Sequence, residues 1–244
     1  MKNLNWKNIW INTRLILIFG LILFLYAFTS NRNSHRKLIK SEVIFVGDNN
    51  NFVKQEMVNK LLIENKLDVK TIEKLEVDLN TLEKTINQQE MIHKSEVFLS
   101  IDGVLKAQVV QKTPIARCFS EQGSFYVDYE GNRMPLSENY TARVLIVSGE
   151  INKKNKTKLS ELFKIIYNDE FLKKNIIGIQ ILPNDDLIMT NRNFNYQIEF
   201  GKNINGEKKF KNYKAFFQKA ILDSTLAKYK NINLKFTQQV VCTK

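Results

Sequence analysis

The N-terminal part of the chain is dominated by one apolar run. Residues 15–28 read LILIFGLILFLYAF, and Ile9, Trp10 and Ile11 extend the run toward the N-terminus. A helix of about 20 residues rises about 30 Å, which matches the hydrocarbon thickness of a bilayer. The pattern therefore predicts a short tail over residues 1–8, a transmembrane helix over residues 9–29 and a polar, basic tether over residues 30–40. A cleaved signal peptide is the alternative interpretation, although no clear pair of small residues marks a cleavage position.

After the tether, the hydrophobic period alternates between that of strands and that of helices. Residues 43–46 have the pattern of a strand, and residues 53–62 and 79–86 each place apolar side chains on one helical face. Two further extended runs flank Asp102-Gly103, which is a strong hairpin signal. The order strand, helix, helix, strand, strand predicts a small α+β domain over residues 41–113.

The remainder, residues 114–244, is richer in strands and contains two amphipathic helical stripes, over residues 159–166 and 213–221. It closes with INLKFTQQVVCTK, residues 232–244, in which Ile232, Leu234 and Phe236 alternate with polar residues. The alternation predicts one continuous closing strand with an unpaired edge, and such an edge can pair with another chain. Phe236 could pack on the sheet or reach a partner. The fold class expected for the whole chain is α+β.

Composition and candidate chemistry argue against several classes of function. The net charge of +12 favours anionic partners, but the basic residues are scattered, and zinc ligands, RNP aromatics and recognition-helix patterns are missing. Cys118 and Cys242 could form one bridge in an oxidising compartment or remain two free thiols. His35 and His93 lie near no nucleophile motif, and Asp128 belongs to a turn sequence. We therefore expect no enzyme, no cofactor, no metal site and no nucleic-acid partner.

Three segments carry a resemblance to a known family. They are SIDGVLKAQVVQKTPIARC at residues 100–118, SFYVDYEGNRMPLSENYTARVLIVSG at residues 124–149, and the closing residues 232–244. With the single apolar helix and the order of elements, these segments resemble the bacterial cell division family FtsQ, called DivIB in some lineages, in a form similar to its Bacteroidetes members.

The resemblance implies a specific architecture and location. It implies a cytoplasmic tail, a single-pass type II anchor in the inner (cytoplasmic) membrane, a POTRA domain over residues 41–113 and a periplasmic β domain over residues 114–244. It also implies a non-catalytic scaffold at the division septum. The POTRA domain would then assist recruitment, with FtsK as a candidate partner.

The resemblance further implies that the β domain binds FtsB and FtsL, and through them influences the septal peptidoglycan synthases FtsW and FtsI. In the family the terminal strand accepts a strand from FtsB. The partner-binding residues expected here are Ile232, Asn233, Leu234, Lys235, Phe236, Gln239, Val240 and Val241. A membrane-anchored periplasmic enzyme or a POTRA-type envelope assembly module is the alternative interpretation.

Overall fold

The computed structural model describes residues 6–47, 51–63, 68–120 and 123–244, with side chains from residue 10 onward. The apolar run forms helix α1, Trp6–Ser34. Within its segment Trp10–Ser34, a window of 18 residues has a mean hydropathy of 2.0 and none of that window is buried in the protein, so by length and composition the helix can cross a membrane. The helix continues beyond the predicted end at residue 29. Residues 1–5 of the predicted tail lie outside the described residues.

By contacts between residues, the chain divides into two units. The first contains the described residues up to Val46 together with Lys54–Val110, and the second contains Gly47–Val53 and Gln111–Lys244. The segment around Val53 was expected to begin a helix of the first unit, but it belongs by contacts to the second. The domain boundaries given by the sequence remain predictions.

The first unit has the predicted β-α-α-β-β order. Its sheet has the strand order β1-β3-β2, with β1 parallel to β3. The helices bury Val58 and Leu62 from one and Leu82 and Ile86 from the other, each pair four residues apart and therefore on one helical face. The elements are β1 Lys40–Val46, α2 Gln55–Leu62, α3 Leu79–Asn87, β2 Ile92–Leu99 and β3 Val104–Gln111.

The second unit is built on a nine-stranded sheet with the order β12-β11-β10-β9-β8-β7-β4-β5-β6. The chain runs parallel from β4 to β7 and from β7 to β8, and two helices lie in the second crossover. The elements are β4 Pro114–Ser120, β5 Gly123–Asp128, β6 Arg133–Met134, β7 Leu145–Ser148, α4 Lys156–Asn168, α5 Glu170–Asn175, β8 Ile176–Ile181, β9 Leu187–Asn191, β10 Gln197–Gly201, α6 Gly206–Leu222, β11 Asn231–Asn233 and β12 Val241–Thr243.

One hydrophobic core lies between the helices and one face of this sheet. Helix α4 contributes Leu159 and Phe163, and helix α6 contributes Tyr213 and Phe217, to the same cluster as the buried strand residues. Both predicted helical stripes are therefore confirmed, while α5 was not predicted. The expected α+β class, with an N-terminal apolar helix followed by a β-α-α-β-β unit and a strand-rich unit, is confirmed.

A buried glutamine explains why the segment before α2 belongs to the second unit. The Gln111 Oε1 accepts hydrogen bonds from the backbone N–H groups of Phe52 and Val53, at 2.9 and 3.1 Å, and its Nε2 donates to the Val53 carbonyl at 3.1 Å. The Gln111 side chain thus forms the kind of hydrogen bonds with this segment that the backbone of a neighbouring strand would form. Ser137 adds a hydrogen bond from its Oγ to the Phe52 carbonyl, at 2.8 Å.

Candidate protein-binding site

The closing residues form two short strands rather than the single strand that the sequence predicts. Strand β11 ends at Asn233, and the chain returns after residues 234–240 to form β12, antiparallel to β11. Asn233 causes the break, because its Oδ1 accepts a hydrogen bond from the backbone N–H of Lys235 at 2.9 Å and so forms an Asx turn. The prediction of one continuous strand over residues 232–244 is wrong.

Strand β11 has no free edge, since β10 pairs with it on one side and β12 on the other. Ile198, Ile232 and Cys242 lie opposite one another across these three strands. The side chain of Ile232 is 0% exposed and that of Leu234 is 1% exposed. Two of the expected partner-binding residues are therefore core residues, and their side chains are not on the surface offered to a partner.

Strand β12 is the last strand of the sheet. Its outer side pairs with no strand of the described chain. Val241 and Thr243 are exposed, whereas Cys242 between them packs partly against the core. The Thr243 carbonyl accepts a hydrogen bond from Lys230, at 2.9 Å, and so faces β11. Because the backbone groups of successive strand residues point to opposite sides, the N–H and C=O of Cys242 face outward.

The other expected residues flank this edge on residues 235–240. Lys235, Phe236 and Gln239 are exposed, and Val240 packs partly against the core. Phe236 is 54% exposed, so it does not pack beneath α6. Of the two placements that the sequence left open for Phe236, the structure shows the exposed one.

A carboxylate on β10 holds the terminal strands in place. Glu199 accepts hydrogen bonds from the side chain of Asn231, from Asn233 Nδ2 at 3.3 Å and from Lys235 Nζ at 2.9 Å. The Lys235 hydrogen bond, followed by that of Asn231, lowers the pKa of the Glu199 carboxyl below its ordinary value, and the same contact raises the pKa of Lys235. We call Glu199, Asn231, Asn233 and Lys235 the Glu199 network.

The Lys235 side chain reaches Glu199 by crossing Gly201. Gly201 has a φ of +69°, and a Cβ built there would lie 2.7 Å from Lys235 Cγ. Both the positive φ and the close approach favour glycine at this position. Sequence reasoning did not predict the Glu199 network, because Glu199 is 32 to 36 residues from the other three members and no local motif connects it to them.

The candidate chemistry elsewhere has structural explanations. Asp128 Oδ1 accepts hydrogen bonds from the N–H groups of Glu130 and Asn132, at 3.0 and 2.7 Å, and so closes the predicted turn. Burial raises the pKa of the Cys118 thiol to about 12, and both cysteines are free. Among the described residues, no group of three His, Cys, Asp or Glu side chains is placed to hold a metal ion.

Comparison with known proteins identifies the family. The sequence model of the family described as FtsQ/DivIB, C-terminal related, matches residues 113–243, which is more than half of the chain. The chain belongs to the FtsQ/DivIB family. The resemblance recognised in the sequence is thereby confirmed. Membership of the FtsQ/DivIB family implies a role in cell division, and thus protein partners in the division machinery.

Solved structures also show similarity. One is the major extracytoplasmic domain of the trans isomer of the bacterial cell division protein DivIB from Geobacillus stearothermophilus. It is 13% identical, with a TM-score of 0.31, and the match covers 46% of this chain and 95% of that chain. No curated protein matches the sequence.

Proposed function

We propose that this protein is a non-catalytic scaffold of the bacterial division machinery that receives an extended segment of a partner along the outer edge of β12. FtsB and FtsL are the proposed partners, and FtsW and FtsI would be influenced through them. The observation that carries the proposal is the outward-facing backbone of Cys242 at the end of the nine-stranded sheet. Addition of a strand to such an edge gives affinity through main-chain hydrogen bonds.

The residues around the edge suit selection of the partner's side chains. Val241 and Thr243 are exposed on the same strand, and Phe236 offers an exposed aromatic ring on the preceding loop. A strand of three residues supplies few backbone hydrogen bonds, each contributing about 0.5–1.5 kcal/mol. We therefore infer that a partner segment extends beyond β12 and also contacts the loop residues Lys235, Phe236 and Gln239.

The location follows from the same proposal. Helix α1 would anchor the chain as a single-pass type II protein in the inner membrane, with both units in the periplasm and the protein concentrated at the septum. The first unit would act as a POTRA domain in recruitment, with FtsK as its candidate partner. A fluorescent fusion should concentrate at division sites and depletion should give filaments. Uniform envelope fluorescence without filaments would instead favour an envelope assembly role.

A proline at position 242 tests the edge directly. Cys242→Pro removes the outward N–H, and proline is tolerated on edge strands where the N–H faces solvent. The affinity of the full-length protein in detergent for the periplasmic segment of FtsB should fall by about tenfold or more, because a main-chain hydrogen bond is lost and the proline ring obstructs the incoming strand. The assay is fluorescence anisotropy with a labelled FtsB segment.

The matched control is Cys242→Ala, which also removes the thiol but keeps the N–H group. It should bind within about threefold of the wild type, since the thiol only packs partly against the core. Equal affinity of the Cys242→Pro variant and the wild type would contradict strand addition at β12. Phe236→Lys tests the side-chain contribution separately, because Phe236 lies outside the sheet.

A further inference from the structure

A second surface of the strand-rich unit is a basic groove. It lies where β4, β7 and β8 begin and where α4 is followed by α5, and its volume is about 380 Å³. Sites of about 300–1,000 Å³ are typical of ligand pockets. Four of its lining residues are cationic, namely Arg117, Arg143, Lys173 and Arg192, most of the others are apolar, and none is acidic.

The four cations come from four separate parts of the chain. Arg117 lies on β4, Arg143 precedes β7, Lys173 lies on α5 and Arg192 follows β9. The fold, rather than a local run of charge, brings them together. In the part of the chain that the structure describes, none of them forms an ion pair with a carboxylate. The groove is thus a concave, positively charged site whose charge no carboxylate of the described residues neutralises.

Arg117 stands beside the exposed apolar side chains of the groove. Its Nε is buried and has no hydrogen-bond partner among the described residues. The guanidinium carbon lies 5.1 Å from the centre of the Phe119 ring, and Arg117 stands opposite Ile146 across the parallel strands β4 and β7. Phe119 is 42% exposed and Ile146 is 50% exposed. Arginine and aromatic residues are enriched at protein interfaces, and an arginine beside two exposed apolar side chains fits that composition.

We propose that this groove is a second partner-binding site, which takes an extended peptide segment carrying both carboxylate and apolar side chains. The carboxylates would pair with the arginines, which bind carboxylates in a bidentate manner, and the apolar side chains would cover Phe119 and Ile146. Strands β9, β10 and β11 separate β8 from β12, so the groove is a different site from the terminal edge. The proposal does not depend on strand addition at β12.

Two features favour a peptide over an anionic lipid surface. The charges line a groove rather than a flat face, and the exposed apolar side chains stand on strands of the sheet itself. A segment with alternating side chains matches such a surface, because successive residues of an extended chain point to opposite sides. The groove can then bind every second side chain while the others face solvent.

The test uses a fluorescein-labelled peptide of alternating glutamate and leucine and the full-length protein in neutral detergent. Fluorescence anisotropy should show binding, and Arg143→Glu should weaken it by about tenfold. Arg143 suits the test because it forms no hydrogen bond or ion pair with the described residues, so its replacement should not disturb the fold. Lys219→Glu makes the same charge change on the exposed surface of α6, outside the groove, and should change the affinity less than about twofold.

The controls separate the groove from diffuse attraction. A glutamine-leucine peptide that binds as tightly as the glutamate peptide, or a Lys219→Glu variant as weak as Arg143→Glu, would overturn the proposal. With the photo-crosslinker p-benzoylphenylalanine in place of Ile146, the peptide should become cross-linked. In place of Ile221, which is exposed on α6, the crosslinker should give no product.

A lipid ligand would give a different result. In nanodiscs, an anionic lipid such as phosphatidylglycerol should not displace the peptide if the groove is a peptide site. Displacement of the peptide by phosphatidylglycerol would mean that the groove binds lipid headgroups, and it would refute the peptide proposal.

Discussion

Replacement of Glu199 by glutamine should loosen the two terminal strands without unfolding the protein. In the wild type, the carboxylate accepts hydrogen bonds from Asn231, Asn233 and Lys235. Glutamine keeps one acceptor oxygen, but the NH₂ group that replaces the other oxygen cannot accept the hydrogen bonds from Asn233 and Lys235. Because Gly201 and the backbone pairing of β11 are unchanged, the effect should be confined to β11, β12 and the loop between them.

The expected magnitude follows from the exposure of each partner. The Lys235 side chain is 45% exposed, so its ion pair contributes at most about 1 kcal/mol. Hydrogen bonds from neutral amides to a carboxylate contribute about 1.5–3 kcal/mol when buried, and less here because the Glu199 side chain is 29% exposed. Glutamine retains part of this contribution. We expect the opening free energy of the terminal strands to fall by about 1–2 kcal/mol.

Hydrogen exchange measured by mass spectrometry reads this local free energy directly. In the full-length protein in detergent, peptides covering residues 230–244 should exchange about 5–30 times faster in the Glu199→Gln variant, since 1.4 kcal/mol corresponds to about tenfold. Peptides from β4 and β7 should be unchanged. Equal protection of residues 230–244 in the two proteins would refute the stabilising role of the Glu199 network, and uniform acceleration would show that its effect is global.

Two further predictions concern pH and the core. The pKa of Glu199 is lower in the folded protein than in the unfolded chain. Its stabilising contribution is therefore complete at a pH above the pKa of the unfolded chain and is lost as the pH falls through the pKa of the folded protein. Protection of residues 230–244 from hydrogen exchange should decline below about pH 4.5, and this decline should be absent in the Glu199→Gln variant. Tyr213→Phe should lower the free energy of unfolding by about 1–3 kcal/mol in denaturant titrations. The reason is that the Tyr213 hydroxyl is the buried hydrogen-bond partner of Asn191 Nδ2, at 3.1 Å, and of the Tyr196 hydroxyl, at 2.9 Å. Tyr140→Phe is the control, and because Tyr140 is 40% exposed it should change the free energy of unfolding by less than about 0.5 kcal/mol.

Local patterns predicted the elements that depend on local physics. The apolar run gave α1, and Asp102-Gly103 gave the hairpin between β2 and β3, where Gly103 has a φ of +88°. The order of elements in the first unit and the two long helices of the second followed from hydrophobic period alone. These features are encoded over a few residues, so one sequence is enough to find them.

Features that depend on hydrogen bonds between a side chain and the backbone could not be predicted in this way. The alternation of Ile232, Leu234 and Phe236 fits a single strand, but the structure turns at Asn233 and buries Leu234. Similarly, Val53 has the spacing of a helix residue, but Gln111 binds its backbone. In both cases a side chain forms hydrogen bonds with a backbone whose hydrophobic pattern favours another structure. Asn233 does so within two residues, and Gln111 does so across 58 residues. The candidate edge is for this reason β12 alone rather than one continuous strand over residues 232–244.

The short length of β12 limits non-specific pairing at the proposed binding edge. A long, flat, apolar edge would invite non-specific pairing, whereas β12 has three residues and follows a loop with the exposed Lys235. The Glu199 network fixes β11 through side-chain hydrogen bonds, and β11 fixes β12 through antiparallel backbone pairing. The outward-facing backbone of Cys242 is therefore ordered in the absence of a partner. Ordering in advance reduces the entropy lost on binding and therefore raises affinity. We thus expect Glu199→Gln to weaken binding of the FtsB segment even though Glu199 lies on β10, two strands away from the edge.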